Sequence, residues 1–108
     1  MTVANTSESL QRALTPVVVL SLLAASALHG YAVITELRAL GFRHAQGGTI
    51  YPLLRTLEDD GLVTSAWDVS GSGPARKVFE ITPTGSTRLD EDRAALRSVV
   101  DRLAHLGI

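Results

Sequence analysis

The chain contains no cysteine, and it carries no large excess of charge of either sign. Without cysteine it forms no disulfide bond, no thiolate zinc site and no redox-sensing thiol, which fits a reducing compartment such as the cytoplasm. A formal net charge of -1 gives the whole chain no attraction for polyanions. Apolar residues still make up 45% of the 108 residues, which is enough for one folded domain with a modest core.

The chain also lacks an apolar run that is long enough to span a bilayer, which takes about 20 residues. The longest run, Pro16–Leu28, ends near Ala25-Ser26-Ala27, a sequence similar to a signal-peptide cleavage site. No cationic cluster precedes the run, because Glu8 and Arg12 cancel in charge. We therefore predict a buried core helix and no membrane partner.

No set of residues with a recognisable catalytic spacing is present, and the chain is predicted not to be an enzyme. Its glycines stand at turn positions and form no phosphate-binding loop. The three histidines show no HxxxH or HxH spacing. A metal site would have to combine histidine nitrogen with carboxylate oxygen brought together by folding, so the metal ligands remain undetermined at this stage.

Capping and turn signals divide the chain into helices and strands. Thr15-Pro16 and Thr82-Pro83 both combine a capping residue with a first-turn proline, the usual start of a helix. The signals predict a flexible N-terminal arm over residues 1–9, helices over 15–28, 31–40, 49–60 and 83–106, and strands over 62–68 and 75–82. The second helix should turn Val33, Ile34, Leu37 and Leu40 inward.

The third predicted helix has one apolar and one polar face. Ile50, Leu53, Leu54 and Leu57 recur at helical spacing and should face the core. The other side offers hydroxyls, one arginine and small residues: Gly48, Thr49, Tyr51, Pro52, Arg55 and Thr56. We expect Pro52 in the first turn, where a proline is tolerated. Such a face suits contact with phosphates and base edges, although an ordinary solvated helix face is the alternative.

The two strands and the glycine-rich loop between them resemble the wing of a winged helix. Arg76 and Lys77 begin the return strand and could contact a DNA backbone, or could simply protect a solvated sheet edge. Trp67 and Phe79 are expected to pack between the strands and the third helix rather than to stack on bases, and a partly exposed Trp67 in a ligand pocket is the alternative. The predicted fold is mostly α with a two-stranded β wing: a winged helix-turn-helix over residues 10–82 that binds double-stranded DNA. A winged helix that binds only protein is the alternative.

The last helix, within residues 83–108, carries one long apolar stripe. The stripe consists of Leu89, Leu96, Val99, Val100, Leu103 and Leu106. A domain of this size cannot cover all of it, so a second copy of the chain is the expected cover. Folding back onto the first helix is the alternative. We predict a homodimer formed through this C-terminal dimerisation helix.

Several stretches resemble the PadR family of bacterial transcriptional regulators. They are HGY at 29–31, GTIYPLLRTLEDDGLV at 48–63, GPARKVFEIT at 73–82, a Thr-Gly pair at 84–85, and the apolar lead-in LTPVVVLSLLA at 14–24. The similarity covers residues 10–90. It implies a winged-helix homodimer that represses from a palindromic operator, and that releases DNA when a small-molecule effector binds. A metal ion is the alternative effector, and no other cofactor is expected.

Carried over residue by residue, the resemblance implies DNA contacts from Thr49, Tyr51 and Arg55 in the third helix, and from Arg76 and Lys77 in the wing. Two positions depart from the family pattern: Thr56, where a basic residue is common, and Val78, where an aromatic is common. The last helix contains no Trp, Tyr or Phe. It therefore has no counterpart of the aromatic residue on which effectors stack in the family.

Overall fold

The computed structural model describes residues 3–106, and side chains from residue 8 onward. The elements along the chain are α1 (Val3–Ala25), β1 (Leu28–His29), α2 (Gly30–Ala39), α3 (Gly47–Asp59), β2 (Val63–Asp68), β3 (Arg76–Ile81) and α4 (Pro83–His105). The helices α2 and α3 form a helix-turn-helix, and β2 and β3 form the wing. The predicted class, a winged helix-turn-helix with a C-terminal helix, is confirmed.

The first helix begins much earlier than predicted. The expected helix start at Thr15 is wrong, because its hydroxyl donates backwards to the carbonyl of Gln11 at 2.7 Å instead of capping a new helix. Pro16 is accommodated inside α1. The ion pair between Glu8 and Arg12, 2.9 Å apart and one turn from each other, belongs to the same helix. Residues 3–9 of the predicted arm are therefore helical, and residues 1 and 2 lie outside the described residues.

One window of α1, Glu8–Ala25, is long and apolar enough to cross a membrane by length and composition. Core helices of globular proteins pass the same test. In this chain Val19, Leu20 and Leu23 are buried in the domain core. Burial in this core accounts for one face of α1, since 22% of the window is buried in the described chain.

The sheet has three strands in the order β1-β3-β2, all antiparallel to their neighbours. The short strand β1 was not predicted, because two residues cannot show an alternating pattern. It pairs Leu28 with Phe79 and His29 with Val78, directly before α2 begins at Gly30. The start of the helix-turn-helix is therefore hydrogen-bonded to the wing.

The core lies between α1, the helix-turn-helix and the inner ends of the strands. Its largest fully buried side chains are Leu20, Leu37, Ile50, Leu54, Val19, Val33 and Val63. Phe79 is buried as predicted, but Trp67 is 65% exposed, so the prediction that it packs under the wing is wrong. Trp67 is the last residue but one of β2, at the outer part of the wing. Leu40 is 57% exposed, because α2 has ended one residue earlier.

The wing passes into α4 without a loop. Thr82 caps α4 as predicted: its hydroxyl accepts from the Gly85 amide at 3.0 Å and donates to the Gly61 carbonyl at 2.6 Å. The Thr82 amide donates to the Leu62 carbonyl at 3.0 Å. Gly85 is buried against this carbonyl, and a Cβ at position 85 would overlap with it. A glycine at the third position of α4 therefore lets the helix cross the wing base at close range.

The described chain is elongated. Its radius of gyration is 15.6 Å, and its principal extents are 55 × 32 × 20 Å. A compact chain of this length would have a radius of gyration of roughly 13 Å. The first turns of α4 pack on α1, where Arg93 donates to the Ser21 hydroxyl at 3.2 Å, but the C-terminal turns are mostly exposed. A single copy therefore leaves part of α4 uncovered.

Candidate nucleic-acid interface

The N-terminal end of α3 is prepared for an anionic partner by its own geometry. The Thr49 hydroxyl accepts from the Gln46 amide at 3.3 Å and donates to the Gln46 carbonyl at 3.0 Å, which fixes the first turn. Thr49 is half-buried, and its hydroxyl stabilises the start of α3. Gly48 is exposed, with open space where a Cβ would stand. A helix start of this kind presents free N–H groups and a positive dipole end.

Tyr51 bridges the two helices of the helix-turn-helix. Its side chain is 48% exposed, and its ring lies against the backbones of Gly30 in α2 and Gly47 in α3. A Cβ at Gly30 would overlap with the ring and lie 3.1 Å from Cζ. Gly30 therefore makes room for Tyr51. This supporting role of Gly30 was not predicted from the sequence, where its only signal is the HGY stretch in which Gly30 lies.

Pro52, Arg55 and Thr56 are exposed on the side of α3 away from the core, as predicted. The expectation that Pro52 lies in the first turn is wrong, because α3 begins at Gly47 and Pro52 is its sixth residue. The Thr56 hydroxyl donates to the Pro52 carbonyl at 3.1 Å and so has its own helix as a partner. Arg55 forms no ion pair with any carboxylate among residues 8–106. Its guanidinium therefore retains its hydrogen-bonding capacity for a phosphate or a guanine edge.

The wing is tethered to α3 through Glu58. The Ser65 hydroxyl donates to Glu58 Oε2 at 2.6 Å, and Lys77 Nζ lies 4.0 Å from Glu58 Oε1. Lys77 Nζ also lies 5.9 Å from the centroid of the Phe79 ring. Arg76 and Lys77 are both exposed. Lys77 thus lies beside the C-terminal end of α3, held by its contacts, whereas Arg76 pairs in register with Asp68 on the other face of the wing.

A second tether connects the wing loop to the start of α2. The Asp68 carboxylate accepts from the Ser70 hydroxyl at 2.6 Å and from the Ser70 amide at 3.0 Å, and His29 Nε2 lies 3.5 Å from it. The hydrogen bonds from Ser70, and secondarily the contact with His29, hold the pKa of Asp68 below its ordinary value. The wing, α2 and α3 therefore form one connected surface.

A cavity of about 210 Å³ lies behind α3, between that helix, the preceding turn and α1. It is lined by Arg12, Thr15, Pro16, His44, Thr49, Ile50 and Leu53. The His44 ring has one edge 3.5 Å from the Thr15 hydroxyl, and its buried Nδ1 has no hydrogen-bond partner in the described chain. Among residues 3–106 no group of three or more His, Cys, Asp or Glu side chains could hold a metal ion.

The predicted dimerisation stripe divides into two parts. Leu89 is only 2% exposed and belongs to the core of its own domain, so its prediction as a partner contact is wrong. The reason is position, because Leu89 lies in the first turns of α4, where the helix crosses α1. Leu96 is half-buried. The exposed part consists of Val99, Val100, Leu103 and Leu106.

Comparisons with known proteins agree on one family. The model of the Transcriptional regulator PadR-like family matches residues 19–91. The chain is 40% identical over 89 residues to Transcriptional regulator Rv3488 of Mycobacterium tuberculosis (strain ATCC 25618 / H37Rv), which covers 82% of this chain and 81% of that protein. The crystal structure of a PadR family transcriptional regulator from Eggerthella lenta DSM 2243 matches with a TM-score of 0.87 and 33% identity, over 96% of this chain and 90% of that one.

A further similar structure holds DNA. It is Bacillus subtilis PadR in complex with operator DNA, with a TM-score of 0.64 and 30% identity. The match covers 73% of this chain and 46% of that longer chain.

Proposed function

We propose that this chain, which belongs to the PadR-like family of transcriptional regulators, is a cytoplasmic repressor that binds a palindromic operator as a homodimer. The observation that carries the proposal is the exposed side of α3, where Arg55 lacks an ion pair among residues 8–106 and Gly48 leaves space for close approach. The wing adds the exposed side chains of Arg76 and Lys77, of which Lys77 lies beside the C-terminal end of α3. In this arrangement phosphate contacts give affinity, and α3 reads bases in the major groove.

The apolar end of α4 supports a two-fold dimer. Val99, Val100 and Leu103 are each at least half exposed, and they recur on adjoining turns of one helix. Pairing of two α4 helices would cover them and would account for the elongated shape of the single chain. The operator of a two-fold symmetric dimer should be palindromic, because each copy reads the same half-site. A dimer that reads successive major grooves separates these half-sites by about 34 Å, or one turn of DNA.

The test is fluorescence anisotropy with labelled duplex from the region upstream of the protein's own gene, against a scrambled duplex, over a series of salt concentrations. We expect tight binding to the upstream duplex that weakens steeply with salt, because phosphate contacts release counterions. Arg55→Ala should cost about 1–3 kcal/mol and relax selectivity at one base pair. Arg97→Ala, which removes the same charge from an exposed position on α4, is the matched control.

The outcomes separate the alternatives. Equal loss on all duplexes in Arg55→Ala would make Arg55 a phosphate contact only. No salt-dependent binding to any duplex would contradict the proposal and would favour a winged helix that binds only protein.

The effector is proposed to be a small organic molecule that occupies the cavity behind α3. The cavity combines the apolar side chains of Pro16, Ile50 and Leu53 with polar groups that include the His44 Nδ1, which has no partner in the described chain. A ligand there would touch α1 and α3 together and could change their relative position. Leu53→Phe narrows the cavity, so it should abolish the release of DNA by compounds that act on the parent chain. Release that survives Leu53→Phe would put the effector elsewhere, and release by metal salts alone would favour a metal ion.

A further inference from the structure

The wing displays the chain's only tryptophan to solvent. Trp67 is 65% exposed near the end of β2, an edge strand of the sheet. Tryptophan is usually well buried, because its ring is the largest apolar side-chain surface. Since the described chain does not cover this ring, the ring is free to contact a binding partner.

Strand register shows which side of the wing Trp67 occupies. Trp67 stands directly opposite Lys77, and two residues inward Ser65 stands opposite Phe79. Side chains two residues apart on a strand lie on the same face, so these four share one face. On that face Ser65 bonds to Glu58 of α3, and Phe79 is buried. Trp67 therefore extends, toward the wing tip, the face that packs on the end of α3.

The charges around Trp67 fit an anionic partner. Lys77 is directly across from the ring, whereas the exposed Arg76 shares the opposite face of the wing with Asp68, its register partner. The neighbouring Asp68 carboxylate belongs to the opposite face of the strand and is engaged by Ser70. The Glu58 carboxylate is engaged by Ser65. What remains open is a broad apolar ring with one cation, Lys77, on the facing strand, and Lys77 Nζ also lies 4.0 Å from Glu58 Oε1.

Duplex DNA offers the matching chemistry at the flank of a groove. Its backbone alternates apolar deoxyribose surface with phosphate oxygens, and the indole combines apolar faces with a single N–H donor. We infer that Trp67 is a DNA contact: its ring packs on the deoxyribose–phosphate backbone beside the groove that α3 enters, while Lys77 neutralises a phosphate. This inference rests on the proposed DNA-binding function.

Substitution of Trp67 and substitution of Lys77 should affect DNA binding in different ways. Trp67→Ala should weaken binding by about tenfold, within the range measured for aromatic side chains that stack on nucleic acid. The loss should be equal on upstream and scrambled duplexes, because a backbone contact reads no base. The salt dependence should not change, since no charge is removed. Lys77→Ala should instead reduce the salt slope by about 0.9 for one lost phosphate contact.

The single tryptophan also provides a direct probe of its own environment. Acrylamide quenching of Trp67 emission in the full-length protein is measured during titration with unlabelled duplex. Anisotropy of labelled duplex gives the binding curve independently. We expect quenching to fall as DNA is added and to level off at the same DNA concentration as the anisotropy. Trp67→Phe should retain most of the affinity, and Leu40→Ala, which removes another exposed apolar side chain, should bind as the parent does.

Two results would overturn the inference while leaving the function intact. One is a normal anisotropy curve with unchanged acrylamide quenching. The other is normal binding by Trp67→Ala at every salt concentration. No anisotropy change with any duplex at low salt would instead reject the proposed function, and the inference with it.

Discussion

Gly85→Ala should destabilise the fold strongly even though alanine is the better helix former. A Cβ at position 85 would overlap with the Leu62 carbonyl and lie 2.8 Å from Ile81 Cγ1. The obstacle is backbone, so α4 would have to move away from the wing base. Overpacking that displaces backbone costs about 3 kcal/mol. Disturbing the Thr82 cap destabilises the fold by about 1 kcal/mol more. The higher helix propensity of alanine offsets about 1 kcal/mol of this loss.

The net expectation is a loss of about 3 kcal/mol in the free energy of unfolding, which lowers the melting temperature by more than about 10 °C. Urea and thermal unfolding, followed by circular dichroism, measure this loss of stability. Both are carried out at one fixed protein concentration, because the stability of a dimer depends on concentration. Gly48→Ala is the matched control: it also lies in the first turn of a helix, but its Cβ would meet nothing within 4 Å. A Gly85→Ala variant as stable as Gly48→Ala would refute the reasoning.

Three further predictions follow from contacts at the site and the exposed stripe. Gly30→Ala should leave stability nearly unchanged but displace the Tyr51 ring, so anisotropy should report weaker DNA binding; wild-type affinity would contradict the proposed role of this ring. Leu103→Lys should produce a folded monomer by analytical ultracentrifugation, because the side chain is exposed in the single chain; a dimer would place the interface elsewhere. The pKa of Asp68 is lowered in the folded state, so its ionised carboxylate stabilises the fold. This stabilisation is complete above the unfolded-state pKa, and it is lost as the pH falls through the folded-state pKa. Unfolding of the parent and of Asp68→Asn should therefore converge in that acidic range, and a difference independent of pH would contradict the assignment.

Sequence reasoning located α2, α3, the wing and α4 to within one or two residues, because each is bounded by a glycine, a cap or a proline. It failed at the start of α1, since Thr15-Pro16 and Thr82-Pro83 look alike. Only the partner of each threonine hydroxyl distinguishes them: an earlier carbonyl in the first case and the Gly85 amide in the second. Local signals cannot show which partner the fold supplies.

The candidate site shows the same division. The polar face of α3 follows from helical periodicity, and Arg55 is exposed as that pattern predicts. Whether an apolar residue is covered depends on distant elements, and this is where prediction failed for Trp67 and Leu89. Trp67 is exposed near the outer end of β2, and Leu89 is buried in the first turns of α4. Contacts between residues far apart in sequence, such as Gly30 and Tyr51, produce no periodic pattern from which they could be predicted.

The direct passage from the wing into α4 has a mechanical consequence. With Thr82 shared by both elements and Gly85 in close contact with the wing base, no slack segment separates the DNA-binding unit from the α4 helix. The 23 residues of α4 form a rod of about 35 Å. In the proposed dimer, a few degrees of rotation between two paired α4 helices would therefore shift the two α3 helices by several ångströms. A ligand that altered how the two α4 helices cross would change the operator spacing that such a dimer fits, without contacting DNA itself.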